Sequence, residues 1–202
     1  MNNKYNSKRK NCKDVFKAFL VANCCYDGTL EIPSIKKENA IPNEILAFSK
    51  CLSSKNKECW IHFYEDDVEF ERIWNQPKKY LNILKEYKGV ISPDFSLYRD
   101  MPLVMQQWNL YRNRAIGAWL QENGVKVIPN IRFSDERSYE FCFDGIAYHS
   151  VVCLSILGLC SKPVDVENLI NGLHETIIRI RPKTIILFGE CTEKKFSKIF
   201  SE

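Results

Sequence analysis

Carboxylate side chains follow two short apolar runs of the chain, at the points where predicted strands end. Acidic residues occupy positions 65–67 after the run 59–64, and Asp94 follows the run 89–92. In parallel α/β sheets and barrels, catalytic groups collect at the carboxyl ends of the strands, where the loops share one edge. Carboxylates that converge there can bind Mg²⁺ or Mn²⁺, or can divide into a general acid and a general base.

Asp94 is the strongest catalytic candidate. It lies too far from Asp100, the predicted start of the next helix, to cap that helix. Asp66 is the second catalytic candidate, although Asp66 and Asp67 can also cap the helix that follows them. Asp94, Asp66 and Glu190, which follows the last predicted strand, form the predicted set of ligands for a Mg²⁺ or Mn²⁺ ion.

Polar groups that could bind a substrate lie after the second and third predicted strands. The loop 92–98 contains the hydroxyl of Ser96 and the phenol of Tyr98, and Asn130 and Arg132 follow the third strand. Loops at this edge of a parallel sheet carry a large share of binding and catalytic residues. We therefore predict that these four side chains bind the substrate.

Two arginines, Arg112 and Arg114, lie in the middle of the longest predicted helix. They are about 200° apart around the helix axis, so one is expected to face solvent while the other reaches a carboxylate or a phosphate. Arg112 is the predicted catalytic arginine, holding an anionic group of the substrate. A structural ion pair with Asp94 is an equal alternative.

The pattern of elements predicts an α/β fold of parallel βα units. Short apolar runs alternate with helical segments, which is typical of a parallel sheet buried on both faces. An incomplete or decorated TIM-like barrel is favoured, and an open doubly wound sheet is the alternative. Residues 14–202 are expected to form a single domain, preceded by a flexible basic arm at residues 1–13. The predicted strands are 59–64, 89–92, 125–129, 151–156 and 184–188, and the predicted helices are 68–87, 100–123 and 163–180.

The bulk composition excludes several classes of protein. A hydrophobic fraction of 45% excludes a globally disordered chain, and a net charge of +4 is too small to indicate nucleic-acid binding. No apolar run has the ~20 residues that a membrane helix requires, and no signal peptide is apparent, so a cytoplasmic protein is expected. Nine cysteines without a C-x-x-C pair indicate reduced thiols rather than zinc ligands.

Several motifs resemble those of a family found in bacteria, phages and plasmids whose members are described as a domain of unknown function. The resemblance rests on the run 62–77, on the loop 92–98 and on Tyr-Arg-Asn-Arg at 111–114. It extends through 127–130, 141–145 and 186–189, and so covers nearly the whole chain. The resemblance implies a mobile-element context and implies no particular reaction.

Three functions therefore remain open. The first is an enzyme that acts on a phosphate-bearing substrate, a nucleotide or a nucleic acid, with its carboxylates at the strand ends. The second is a non-catalytic phage or plasmid protein that binds a host protein or a nucleotide signal. The third is a replication-associated DNA-binding accessory, in which the basic arm at residues 1–13 contacts DNA.

Overall fold

The computed structural model describes residues 14–159 and 162–190, so the predicted basic arm at residues 1–13 lies outside the described residues. The described chain contains two antiparallel strands, seven parallel strands and four α-helices. The strands are β1 Tyr26–Asp27, β2 Ile32–Pro33, β3 Ile45–Ala47, β4 Trp60–His62, β5 Gly89–Ile91, β6 Val127–Ile128, β7 Asn130–Ile131, β8 Val151–Ser155 and β9 Thr184–Phe188. The helices are α1 Asp67–Asn75, α2 Pro77–Leu84, α3 Leu103–Glu122 and α4 Pro163–Ile180.

The parallel strands form two sheets that meet at Pro129. β3, β4, β5 and β6 pair in this order, and β7, β8 and β9 pair in this order. Pro129 has no N–H to donate and therefore interrupts the strand between β6 and β7. Its carbonyl still accepts a hydrogen bond from the backbone N–H of Cys153 at 2.9 Å. The predicted α/β class with parallel strands is thus confirmed.

The strands follow one another in space in the order of the sequence. A doubly wound sheet contains a reversal of strand order, and these paired strands show none. The sheet also curls. The ring of Phe188 on β9 lies 4.8 Å from the ring of His62 and 4.6 Å from that of Tyr64, although β5, the interrupted strand β6–β7 and β8 lie between β4 and β9 in the pairing order. In the described residues β3 and β9 are not paired, and a closed TIM-like barrel is not confirmed.

Apolar side chains fill both faces of the curled sheet. On the concave face, a cluster of buried residues alternates along the strands with residues that point outward. The concave cluster consists of Trp60, Tyr64, Ile91, Ile128, Val151 and Cys153. On the convex face, two larger clusters pack the sheet against the helices. This alternation decides which polar side chains reach the inside of the sheet at its carboxyl edge.

The helix boundaries follow local sequence signals with one difference from expectation. Pro77 splits the predicted helix 68–87 into α1 and α2, as expected of a proline, which is tolerated in the first turn and not in a helix interior. α3 begins at Leu103 with Pro102 in the capping position, so the prediction that Asp100 caps it is wrong. The 60 residues or so before β4 also contribute a parallel strand, β3, that the sequence pattern did not predict.

Candidate functional site

Four polar side chains meet at the carboxyl ends of β4, β5 and β7, and we call them the Asp94 network. Asp94 is 8% exposed, and its Oδ1 accepts a hydrogen bond from Nδ2 of Asn130 at 2.7 Å. Its Oδ2 accepts from Nη1 of Arg132 at 3.2 Å. Oδ1 of Asn130 in turn accepts from the hydroxyl of Tyr64 at 2.9 Å. The structure therefore brings together Asp94, Asn130 and Arg132, three of the residues singled out in the sequence.

The backbone near Asp94 is fixed by buried hydrogen bonds. The hydroxyl of Ser92 accepts from the backbone N–H of Asn130 at 2.8 Å and donates to Oδ1 of Asn113 at 2.9 Å. The side-chain amide of Asn113 also donates to the carbonyl of Pro93. These contacts hold β5 against β7 and α3 at the point where the chain leaves the sheet, which places the carboxylate of Asp94 beside Asn130.

Two opposing influences act on the carboxyl group of Asp94. Burial is the larger one and raises its pKa above the ordinary 3.8, and the negative charge of Asp67 adds to this increase. The cation of Arg132 and the hydrogen bond from Asn130 both lower the pKa, but they do not offset burial. A carboxyl group with a raised pKa beside a cavity is a candidate for general acid–base catalysis.

The loop 92–98 is anchored to the helix layer through Ser96. Asp67, at the start of α1, accepts hydrogen bonds from the hydroxyl of Ser96 at 2.9 Å and from its backbone N–H at 3.3 Å. The carbonyl of Ser96 accepts from the amide of Asn109 at 2.6 Å. Ser96 therefore positions the loop, and its predicted role in substrate binding stays a prediction.

A cavity of about 260 Å³ opens beside the Asp94 network. It lies between the loop that contains Tyr98, the end of β7 and the first turns of α4. Arg132 contributes to its wall, and Tyr98, which is 55% exposed, lies at its rim. Other polar side chains of the wall are Arg99, Ser134, Asp165 and Asn168. Arg99 and Asp165 form an ion pair with 2.7 Å between Nη2 and Oδ1.

Arg112 does not join the Asp94 network. Its Nη1 donates to both carboxylate oxygens of Glu71 at 2.7 and 2.8 Å, and its Nη2 donates to Oδ1 of Asn109 at 2.6 Å. Its guanidinium also lies over the ring of Phe95, 3.9 Å from the centroid. Arg112 thus joins α1 to α3, and the alternative pair with Asp94 is not formed. Its predicted contact with an anionic group of the substrate stays a prediction.

Arg114 is fully buried, so the expectation that one of these two arginines faces solvent is wrong. It donates hydrogen bonds to the backbone carbonyls of Asn130, Cys142 and Asp144 at 2.9 Å each, and to Oδ1 of Asn113 at 2.8 Å. Periodicity places a residue on a helix face but does not reveal what covers that face. Here the middle of α3 is buried on all sides, between the sheet and the segments before and after it.

The predicted metal-ligand set is not assembled. Within the described residues, no group of three or more His, Cys, Asp or Glu side chains is arranged to hold a metal ion. Asp66 is exposed at the capping position of α1, where its side chain accepts no capping hydrogen bond, and Glu190 is exposed after β9. The carboxylate that contacts the loop of Asp94 is that of Asp67, the first residue of α1, which accepts hydrogen bonds from Ser96.

Sequence reasoning missed two members of this region. In the sequence, Tyr64 is the end of a predicted apolar strand. Only the period of two along this strand indicates that its hydroxyl points to the inside of the sheet, as Asn130 does. Asp67 was treated as a helix cap or a neighbour of Asp66. Its contact with Ser96 depends on the packing of α1 against the loop after β5, for which the sequence carries no local signal.

Known proteins similar to this chain come from phages. The family model described as "Domain of unknown function (DUF4417)" matches residues 24–201. The gene 1 protein of Mycobacterium phage L5 is 35% identical over 164 residues, which are 79% of this chain and 71% of that protein. The gene 1 protein of Mycobacterium phage D29 is 32% identical over 165 residues, which are 79% of this chain and 60% of that protein. No solved structure matches the chain.

The matches agree with the motifs that led to the predicted resemblance, and that prediction is confirmed. The matched part is 60% of the second phage protein, so this chain spans only part of the length of that relative. Among the helices in the described ranges, none is long and apolar enough to cross a membrane. The model match over most of the chain and the identity to the two phage proteins show that this protein belongs to the DUF4417 family.

Proposed function

We propose that the protein is an enzyme of a phage or plasmid that acts on a phosphate-bearing substrate, a nucleotide or a nucleic acid, at the carboxyl edge of its sheet. The single observation that carries this proposal is the position of Asp94. The carboxyl group of Asp94 is buried, has a raised pKa and contacts Arg132, which lines a cavity at the edge of the sheet where parallel α/β enzymes perform chemistry.

One cation of the cavity wall supports an anionic ligand. Arg99 is paired with Asp165, a carboxylate of the same wall in the first turn of α4, so Arg132 is the cation with N–H groups to offer, and a guanidinium can bind two oxygens of a phosphate at once. Asn168, in the second turn of α4, adds a neutral polar group to the wall. A volume of about 260 Å³ accommodates a phosphate group with part of its organic substituent.

Each side chain then has a definite task. Asp94 takes a proton from the nucleophile, which is a water molecule or a hydroxyl group of the substrate. Arg132 binds the phosphate, and Asn130 keeps the carboxylate of Asp94 in position. Tyr98 offers an exposed aromatic face at the rim, on which a nucleobase can stack. Glu190 and Asp66 have no role in this scheme.

A second candidate function is a non-catalytic protein that binds a host protein. Four large apolar side chains are exposed on the first turns of α3, which is unusual for a surface without a partner. They are Leu103, Val104, Met105 and Trp108, with exposed fractions between 36% and 68%. The third candidate, a DNA-binding accessory, depends on residues 1–13, outside the described residues, and no observation favours it over the other two.

The test is a search for turnover with a panel of nucleoside mono-, di- and triphosphates and short oligonucleotides, read by mass spectrometry and by phosphate release. The wild type is compared with Asp94→Asn and with Glu58→Gln, which removes an exposed carboxylate near the opposite edge of the sheet. We expect turnover in the wild type and in Glu58→Gln, and none in Asp94→Asn. Turnover at the wild-type rate in a folded Asp94→Asn variant would contradict the catalytic role.

A further inference from the structure

We infer that binding of an anion in the cavity activates Asp94 as a base by drawing Arg132 away from it. The inference rests on the proposed function, because it takes the phosphate-bearing substrate as the physiological anion. It adds that substrate binding and base activation are coupled through one side chain, the guanidinium of Arg132.

The first support is the arrangement of donors around Asp94. Each carboxylate oxygen faces an N–H group, Oδ1 the amide of Asn130 and Oδ2 the guanidinium of Arg132. A guanidinium has no lone pair and does not lose its proton in proteins, so it cannot accept a hydrogen bond from a protonated Asp94. While Arg132 occupies this position, its contact and its charge stabilise the carboxylate and make it a poor proton acceptor.

The second support is the unequal mobility of the two donors. Asn130 is fully buried, and its backbone N–H and C=O are bound by Ser92 and Arg114. Its carbonyl oxygen accepts from Tyr64, so the side-chain amide is held from both ends. The side chain of Arg132 is 19% exposed and makes, within the described chain, one hydrogen bond, the 3.2 Å contact to Asp94. Of the two donors, only Arg132 can turn away without breaking buried contacts.

The third support is the competition between ligands for the same guanidinium. Arg132 lines the cavity and offers five N–H donors in a planar fork, most of which remain available to a ligand. A phosphate in the cavity that binds two of these donors forms shorter and stronger hydrogen bonds than the single contact to Asp94. Because the fork is planar, aligning two of its N–H groups with the phosphate turns the guanidinium and withdraws Nη1 from Asp94, so Oδ2 becomes free to accept a proton.

The charges around Asp94 favour proton uptake once Arg132 has turned away. Asp67 faces it from α1 with a negative charge, and Arg132 is the cation that faces it from the end of β7. Tyr64 after β4 and Cys153 on β8 lie near Asn130, and burial raises the pKa of both, that of Cys153 to about 12. Both are neutral near pH 7, so Asp67 and Arg132 are the charged groups of this set that act on the carboxyl group of Asp94.

The experiment measures the pKa of the Asp94 carboxyl by carbon NMR, with and without inorganic phosphate, and assigns the signal by its absence in Asp94→Asn. Binding of phosphate is recorded in the same samples by calorimetry. In the wild type we expect saturating phosphate to raise the pKa of Asp94 by about one pH unit or more, because an opposite charge is withdrawn. In Arg132→Gln we expect the pKa of Asp94 to be higher than in the wild type even without phosphate, and to stay unchanged when phosphate is added.

Two further variants complete the design. Arg181→Gln removes an exposed arginine at the far end of α4 and should respond to phosphate as the wild type does. Arg132→Lys retains the charge without the fork, and it should bind phosphate more weakly with a smaller change in the pKa of Asp94. Arg132→Lys also replaces Arg132→Gln as the test variant if Arg132→Gln does not fold.

The outcomes separate the inference from the proposed function. If phosphate binds to the wild type but leaves the pKa of Asp94 unchanged or lowers it, the inference is wrong and the proposed function stands. If neither phosphate nor any nucleotide of the panel binds at millimolar concentration, both are wrong. Binding that raises the pKa equally in the wild type and in Arg132→Gln would also overturn the inference, since the coupling would not pass through Arg132.

Discussion

Two buried charges lie on opposite sides of Asn130, and they differ in how completely the protein satisfies them. Arg114 donates to Asn130 through the backbone carbonyl, and to three further acceptors. Asp94 receives a hydrogen bond from the side chain of the same residue, and its other partner, Arg132, is partly exposed beside a cavity. The first charge is enclosed by the fold, whereas the partner of the second lines a space that a ligand can enter.

The difference separates a structural charge from a functional one. A buried ion that donates to three backbone carbonyls and a buried amide oxygen holds distant segments together, and it does not line the cavity. A buried carboxyl group whose pKa is raised is instead destabilised in its charged form, a condition that proteins retain where it serves chemistry. Position in the sequence alone could not distinguish them.

The largest effect is expected from Arg114→Leu. The substitution leaves the carbonyls of Asn130, Cys142 and Asp144 buried without this donor, and each such loss costs roughly 1–3 kcal/mol. We expect the free energy of unfolding to fall by about 4 kcal/mol in urea denaturation followed by circular dichroism, because three buried carbonyls lose their donor together. A loss below about 1 kcal/mol would show that Arg114 is not structural.

An intermediate effect is expected from Arg112→Gln. The variant loses the double contact with Glu71, the hydrogen bond to Asn109 and the packing over Phe95. We expect the free energy of unfolding to fall by about 2 kcal/mol. Because Glu71 is 37% exposed, Glu71→Gln should cost about 1 kcal/mol or less in the same assay.

The double variant of these two residues sharpens the second prediction. If the ion pair of Arg112 and Glu71 stabilises the contact between α1 and α3, its coupling energy is about 1 kcal/mol in a double-mutant cycle. Phosphate binding and turnover should be retained in both single variants. Loss of turnover in a folded Arg112→Gln variant would show that Arg112 takes part in catalysis and would contradict its assignment as a purely structural residue.

A smaller effect concerns the pH dependence of stability. Because the pKa of Asp94 is raised in the folded protein, the folded state binds more protons than the unfolded state between the two pKa values. The contribution of Asp94 to stability is therefore fully present below its ordinary pKa of 3.8 and is lost as the pH rises through the folded-state value. Unfolding measured across this window should show the wild type losing stability relative to Asp94→Asn as the pH rises.

The opposite slope would contradict the account. If the wild type gains stability relative to Asp94→Asn with rising pH, the pKa of Asp94 is lowered in the folded state, and Arg132 outweighs burial. Asp144, whose pKa burial also raises, is present in both proteins and cancels in the comparison.

The smallest effect on stability is expected from Asp94→Asn at pH 7. The neutral side chain keeps an oxygen that accepts from Asn130 and removes a charge that burial destabilises. We expect the free energy of unfolding to stay within about 1 kcal/mol of the wild type. A decrease of several kcal/mol would place Asp94 with Arg114 among the structural charges.

The rule that strand ends meet at one edge predicted the central part of the site. Asp94, Asn130 and Arg132 were selected because each follows a predicted strand, and the structure joins all three by hydrogen bonds. The rule works because parallel pairing fixes the relative direction of the strands without reference to side-chain detail.

The sequence predictions are wrong where the packing of one element against another decides the direction or the burial of a side chain. The direction of Arg112 depends on the contact between α1 and α3, and the burial of Arg114 depends on residues 141–145, which cover α3. Asp67, and not Asp66, contacts the loop of Asp94. Which of the two does so depends on where α1 begins, and the sequence locates a helix start only to within a few residues. Glu190 is exposed after β9, and a position after a strand does not by itself turn a carboxylate toward the Asp94 network.

The most direct test of the central claim is a calorimetric titration of the wild type, Arg132→Gln and Arg181→Gln with nucleoside phosphates, alongside their free energies of unfolding. We predict that Arg132→Gln loses at least about tenfold in affinity, a change of about 1.4 kcal/mol in binding free energy, while its stability stays within about 1 kcal/mol of the other two. Equal affinity in all three proteins, or unfolding of Arg132→Gln alone, would contradict the claim that the Asp94 network serves ligand chemistry rather than the fold.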